Sequence, residues 1–147
     1  MFNLLAGIRI IDLTTIVLGP YATQLLADFG AEVIKIEAQQ GDVFRAVRPG
    51  RLADIGTGFM NFNRNKRSVV LDLKSEAGQA SLGQWVAGAD VWVHSMRSSS
   101  AERLGASYET LGQSNPSLVY CCSPGFGNRG ADNDLPAYDY IIQACFG

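Results

Sequence analysis

IRIIDL (residues 8–13), TTIVLGP (14–20), YATQLLADFG (21–30) and AEVIKIE (31–37) follow one another without interruption, and they read as strand, tight turn, helix and strand. Both strand segments are short apolar runs rich in Ile and Val, the pattern of parallel strands covered on two faces. A helix between two such strands makes a βαβ unit. Pro20 fits the first helical turn, where a missing N–H costs nothing, and Gly30 fits a helix end that needs positive φ. Within the helix Leu25, Leu26 and Phe29 recur at three- to four-residue spacing and are expected to cover the sheet, leaving Thr23, Gln24 and Asp28 to face elsewhere. Ligands of open parallel sheets bind beyond the carboxyl ends of the strands, which directs attention to residues 14–19.

Outward from this unit the alternation continues. Residues 38–58 form a Gly-rich segment carrying Arg45, Arg48, Pro49 and Arg51 without either period, and connections of that length are usually functional or mobile. A helical turn at 59–62 precedes a third strand, SVVLDL (68–73), with Lys74 at its carboxyl end. Ser75 and Glu76 open a helix whose apolar face is Ala80, Leu82, Trp85 and Val86. Trp85 is expected to make its core contact, and Gly78 and Gly83 to weaken it by up to about 1 kcal/mol each. DVWVH (90–94) is a fourth strand, and residues 98–100 cap a short helix ending at Leu104 and Gly105. A helical turn at 108–113 stops before Asn115-Pro116, because the residue preceding proline is pushed out of the α region. SLVYCC (117–122) is a fifth strand, a polar loop follows, and a helix starts at Tyr138. The pattern is that of a doubly wound α/β sheet, and the last helix runs into Gly147 with nothing to receive it, so the chain reads as truncated.

Composition narrows the function. The 147 residues suffice for one domain, and 47% hydrophobic content for a real core. A net charge of -2, from 12 basic and 14 acidic residues, argues against a nucleic-acid-binding protein. Adjacent Cys121 and Cys122 point to opposite faces of a strand, so no disulfide framework is evident among the three cysteines. No basic, apolar leader opens the chain and no apolar run approaches the roughly 18 residues of a membrane helix. The chain reads as soluble and cytoplasmic, with no membrane partner.

The candidate sites each have a plainer reading. GFGNRG (125–130) matches G-x-G-x-x-G, but no helix opens inside it and no acid follows about 20 positions on, so it reads as a loop and not a dinucleotide site. Arg64, Lys66, Arg67 and Lys74 bracket the third strand, either as a solvated turn or as contacts to the phosphates of a small ligand. His94, the only histidine, ends a strand without a neighbouring ligand or orienting group, so a structural role outweighs catalysis or metal binding. Asp12, Asp72 and Asp139 read as turn or helix caps.

Taken together, LxGIRIIDLT (from Leu5), GPYATQLLADFGAEVIKIE (from Gly19), FNRNKRSVVLDLK (from Phe62), RLG (103–105), NPSLVY (from Asn115) and YDYIIQA (from Tyr138), in this order, resemble the class III CoA-transferases. This family includes formyl-CoA transferase and the carnitine-related CoA-transferase. The resemblance covers nearly the whole chain. It implies a Rossmann-like, mostly parallel open sheet flanked by helices, the N-terminal CoA-binding part (residues 1–147) of an interlocked homodimer. It also implies coenzyme A as co-substrate with no tightly bound cofactor, and acyl-CoA and a carboxylic acid as partners. Residues matching the family's CoA contacts are Val17 and Leu18; Leu71, Asp72, Leu73 and Lys74; Ser95, Met96 and Arg97; Arg103; and Leu135, Pro136, Ala137 and Tyr138. The family's transfer runs through an aspartate that attacks the thioester, passes through a mixed anhydride and becomes an aspartyl-CoA thioester. The resemblance puts that aspartate beyond Gly147, so no catalytic residue is assigned here and no metal is expected. Racemase relatives carry histidine where Tyr138 stands, which favours transfer over racemisation. His94-Ser95-Met96 departs from the E-N-F of many transferases. The alternatives are a standalone CoA- or nucleotide-binding module, an acyl-CoA racemase relative and an NAD-binding domain.

Overall fold

Five parallel strands in the order β3-β2-β1-β4-β5 carry helices on both faces in the computed structural model, which describes residues 3–47 and 55–147. The strands are β1 (Arg9–Leu13), β2 (Glu32–Glu37), β3 (Lys66–Val70), β4 (Val91–His94) and β5 (Val119–Cys122). The helices are α1 (Leu18–Asp28), α2 (Thr57–Asn63), α3 (Glu76–Ala87), α4 (Ser98–Arg103), α5 (Tyr108–Ser114) and α6 (Asp139–Phe146), with a 3-10 turn at Val43–Ala46. The doubly wound, Rossmann-like expectation therefore holds, and Gly30 follows α1 at φ 101° as its turn requires. The third strand is shifted: it starts at Lys66, and Leu71 to Leu73 lie past its end. Arg48, Pro49 and Arg51 lie outside the described residues. Among the described residues no helix is long and apolar enough to cross a membrane.

Strand alternation separates two unlike interiors. On one face Ile11, Leu13, Ile34, Ile36 and Trp92 meet Leu82 and Val86 of α3, and Leu111 of α5, in a continuous apolar core. Trp85 is only partly buried at its margin, so Leu82 and Val86, not Trp85, make the central contacts of α3. Gly78 is buried for a reason that helix propensity does not show. A Cβ there would lie 1.9 Å from the Asp72 carbonyl oxygen, so this glycine lets the start of α3 close against the segment after β3. Ser75 caps the helix as expected, accepting from the Gly78 N–H.

The opposite face is apolar at one end, where Ile10, Val33 and Val93 meet Ala27, and charged at the other, where Asp12, Lys35, Glu37 and Lys66 are buried. That charge turns α1 away from its expected orientation, although Leu26 packs against the apolar end of this face as expected. Thr23, Gln24 and Ala27 face the sheet, while Leu25 and Phe29 remain 38% and 40% exposed. Thr23 points inward because its hydroxyl donates to Asp12 Oδ2 at 2.6 Å, and taking one donor from a buried carboxylate costs about 1–3 kcal/mol, enough to offset leaving Leu25 and Phe29 partly exposed.

Candidate functional site

The turn after β1 is built on Asp12. Its Oδ1 accepts from the Thr14 N–H at 2.8 Å and from the Thr14 hydroxyl, and its Oδ2 accepts from Thr23 and from Lys66 Nζ at 2.9 Å. Burial opposes the charge on Asp12, but the ammonium groups of Lys66 and Lys35 and the Thr14 and Thr23 hydrogen bonds overcome it and hold the carboxyl below its ordinary range. Asp12 is thus the hub of a buried cluster and more than a turn cap. Ile16 then adopts φ 70°, a conformation unusual for a β-branched residue and costing about 1–3 kcal/mol, which the pinned turn sustains.

This arrangement settles the basic group around β3. Lys66 is spent on Asp12, the Pro20 carbonyl and Asn63, Arg64 on Asp28, and Arg67 on Glu32. Lys66 is thus neither a phosphate contact nor a solvated residue, whereas Arg64 and Arg67, 54% and 76% exposed, are solvated surface residues as the turn reading has it. The Lys74 ammonium has no hydrogen-bond or ion-pair partner among the described residues, and Lys74 lines a cleft.

That cleft, about 460 Å³, opens beyond the carboxyl ends of β1, β2 and β3. Leu13, Ile36, Leu71, Leu73 and Met96 give it an apolar wall, and Gln39, Gln40, Asp72 and Lys74 a polar one. A second cleft of about 340 Å³ adjoins it beyond β1 and β4, lined by Ser95, Met96, Arg97 and Ser100 on one side and Pro136, Ala137 and Tyr138 on the other. Leu13, Thr15 and Met96 border both clefts. They stand where the strand order reverses between β1 and β4, the crevice in which open α/β sheets hold ligands. The Thr15 N–H reaches Ser95 Oγ at 3.4 Å, joining the two strand ends.

The far wall of the second cleft is fastened by the loop before α6. Ser99 Oγ lies 2.7 Å from both Asp134 carboxylate oxygens, and Arg97 Nη1 donates to the Asp134 carbonyl at 3.0 Å. Gly125, the first glycine of GFGNRG, allows this closure: a Cβ there would meet Ala137 Cβ at 1.8 Å. The motif therefore serves loop packing, and no helix opens within it.

Of the residues expected at the site, the clefts bring together Leu71, Asp72, Leu73, Lys74, Ser95, Met96, Arg97, Pro136, Ala137 and Tyr138. Val17, Leu18, Arg103 and Leu135 line neither. Val17 and Leu18 are exposed beyond Thr15, and Arg103 donates to Ser100 Oγ at the rim of the second cleft. Thr15, Gln39 and Gln40 were missed residue by residue, although the strand-end rule and the length of the 38–58 segment both pointed at them. Asp72 closes a turn by accepting from the Lys74 N–H, as read, and Asp139 accepts from Gln143 within α6.

His94 is structural. It is buried between the rings of Trp92 and Tyr120, its Nδ1 accepts from the Met96 N–H at 3.2 Å, and burial pushes its pKa down to about 4. Among the described residues no cluster of His, Cys, Asp or Glu could hold a metal ion, and the three cysteines are free.

A sequence model described as CoA-transferase family III matches residues 5–147. The chain belongs to CoA-transferase family III. It is 39% identical to the succinate–glutarate CoA-transferase of Agrobacterium fabrum, over 97% of this chain and 38% of that protein. It is 42% identical to the acetyl-CoA:oxalate CoA-transferase of Acetobacter aceti, over 96% of this chain and 36% of that protein. Among solved structures, a CAIB/BAIF family protein from Brucella suis superposes with a TM-score of 0.91 at 34% identity, over 99% of this chain and 39% of that one. The orthorhombic form of Rv3272 from M. tuberculosis gives 0.88 at 36% identity, over 97% and 40%. This family III chain thus spans little more than a third of the length of these relatives.

Proposed function

We propose that this chain forms the coenzyme A-binding part of a transferase that moves CoA from an acyl-CoA thioester to a carboxylic acid. The observation that carries the reading is Lys74, whose ammonium has no partner among the described residues and stands on the wall of an otherwise largely apolar cleft at the strand-order reversal. CoA offers the complementary chemistry, with phosphates for the ammonium, and an adenine ring and pantetheine arm for the apolar surface of Leu13, Leu71, Leu73 and Met96. The adjoining cleft then takes the narrower arm, with Ser95 and Arg97 facing Pro136, Ala137 and Tyr138. Val17, Leu18, Arg103 and Leu135 belong to the outer lip in this reading.

Transfer needs a carboxylate nucleophile with open access. Asp12 is buried under Lys66 and so closed to a thioester, and Asp139 is not matched to the nucleophile by the resemblance, so neither is offered as that group. The reading assigns the nucleophile to an aspartate outside these 147 residues. It takes residues 1–147 as one CoA-binding domain, and the working protein as a cytoplasmic homodimer. Tyr138 in place of the racemase histidine supports transfer over racemisation.

Calorimetric titration tests the reading. CoA is expected to bind saturably and NADH not to bind. NADH binding without CoA binding would overturn the proposal in favour of a dinucleotide domain.

A further inference from the structure

The larger cleft has two polar walls of different origin, the turn after β1, with Thr15, and the segment after β2, with Gln39 and Gln40. One buried ammonium reaches both. Lys35 Nζ donates to the Thr14 carbonyl at 2.7 Å and lies 2.8 Å from Asp42 Oδ2, the two side chains being 2% and 1% exposed. Thr14 gives its N–H and hydroxyl to Asp12, so its carbonyl depends on Lys35. Asp42 in turn donates its N–H to Glu37 Oε2 and accepts from the Phe44 N–H, each at 2.9 Å, which fixes the segment that presents Gln39 and Gln40.

We propose that Lys35 is a positioning residue for the cleft, bracing the turn after β1 against the segment after β2 so that the two walls hold the spacing that a CoA molecule requires. The inference rests on the CoA-binding reading above. A buried ion pair is poor evidence of stabilisation, since removing both charges often leaves a fold as stable as before. What this pair adds is geometric: one side chain ties two loops with no strand pairing of their own, and binding walls held in place in advance spare the ligand the cost of ordering them. Ile16, two residues past the tethered carbonyl, sits at φ 70°, and such a backbone persists only where its surroundings impose it.

The test compares the unaltered chain with Lys35→Met and with Lys35→Met/Asp42→Asn. The single change strands a buried carboxylate, so both melting temperature and CoA affinity are expected to fall. In the double variant the stranded charge is gone. Its melting temperature is expected to recover most of what the single change loses, short of the part due to the Thr14 carbonyl left without its donor, while its Kd for CoA stays raised by about tenfold. Amide exchange is read alongside, because it does not require ligand. The buried N–H groups of Thr14 and residue 42, one on each wall, are expected to exchange faster together in both variants while Ile11 and Trp92 keep their protection. Recovery of affinity together with stability in the double variant, or unchanged exchange at both positions, would overturn the brace. Failure of the unaltered chain to bind CoA would instead overturn the reading on which it rests, with the exchange data still deciding the brace.

Discussion

Replacing Gly78 by alanine sets two effects of opposite sign against each other. Alanine in a helix interior is favoured over glycine by about 1 kcal/mol, so propensity alone predicts a more stable protein. The structure predicts the reverse. The new Cβ would lie 1.9 Å from the Asp72 carbonyl oxygen and 2.6 Å from its carbon, so that peptide must retreat by about 1 Å from a position set by close packing. The same oxygen accepts from the Ser75 N–H at 3.1 Å and from Ser75 Oγ at 2.8 Å, so the retreat also disturbs the residue that caps α3. Overpacking of this kind costs about 1–3 kcal/mol and loss of a cap about 1 kcal/mol, which together outweigh the propensity gain. The net loss of about 1–3 kcal/mol corresponds to a fall of about 2–12 °C in Tm for a chain of this size. Asp72 and Lys74 move together on the cleft wall, so CoA affinity should fall in the same variant. Differential scanning calorimetry and a CoA titration read both. A Gly78→Ala protein that melts higher than the original with affinity intact would refute the close-approach argument.

Lys74→Ala should weaken CoA binding by roughly fivefold to thirtyfold, the effect of about 1–2 kcal/mol for a half-solvated ammonium–phosphate contact, and the difference should shrink at high salt; equal affinity across a salt series would remove the contact. Acid should destabilise the fold in two stages. The unfolded chain binds a proton at His94 near its ordinary value of 6.5 while the folded site resists until about 4, and Glu37, ordinarily 4.5, stays ionised in the folded state down to about 2. For Glu37, burial opposes the charge and the hydrogen bonds from Arg45, Ser68 and the Asp42 N–H overcome it. Stability is therefore full above pH 6.5 and lost progressively below it, by about 3 kcal/mol for each group, and His94→Asn should abolish the first stage in a pH series of denaturant titrations. Leu25→Gln on the outer side of α1 should change stability by less than about 0.5 kcal/mol, whereas Leu82→Ala should cost about 2–5 kcal/mol; the opposite ranking in urea unfolding would mean that α1 is rotated.

The fold was legible because its signals are local. Short Ile- and Val-rich runs, Gly30 after α1, Ser75 before α3 and Asn115-Pro116 after α5 each act within a few residues, and each stands where the sequence placed it. The orientation of α1 was not legible, because it depends on Lys66, 54 residues from Asp12 in the chain, and on Lys35 from a neighbouring strand. A spacing rule that counts apolar residues assigns Leu25 inward; only the three-dimensional charge pattern shows that Thr23 must go there instead. Within the basic group around β3 the solvated reading fails for Lys66 for the same reason, since it looks like a surface lysine until its partner is known, and holds for Arg64 and Arg67. Gly78 and Gly125 look like flexibility in a sequence, and each proves to be a place where two backbone segments close on one another. The site was half legible: strand-end logic located the right edge of the sheet, and the resemblance supplied residues, ten of which line the two clefts while four stand outside them.

Whether CoA occupies the crevice between the ends of β1 and β4 is best measured by backbone amide shifts of the chain titrated with CoA. The account predicts saturable shifts at Thr15, Leu71, Lys74, Met96 and Ala137, with residues 125–130 and the distant amino ends of the strands unmoved. Shifts confined to the 125–130 loop, or none at saturating CoA, would contradict it.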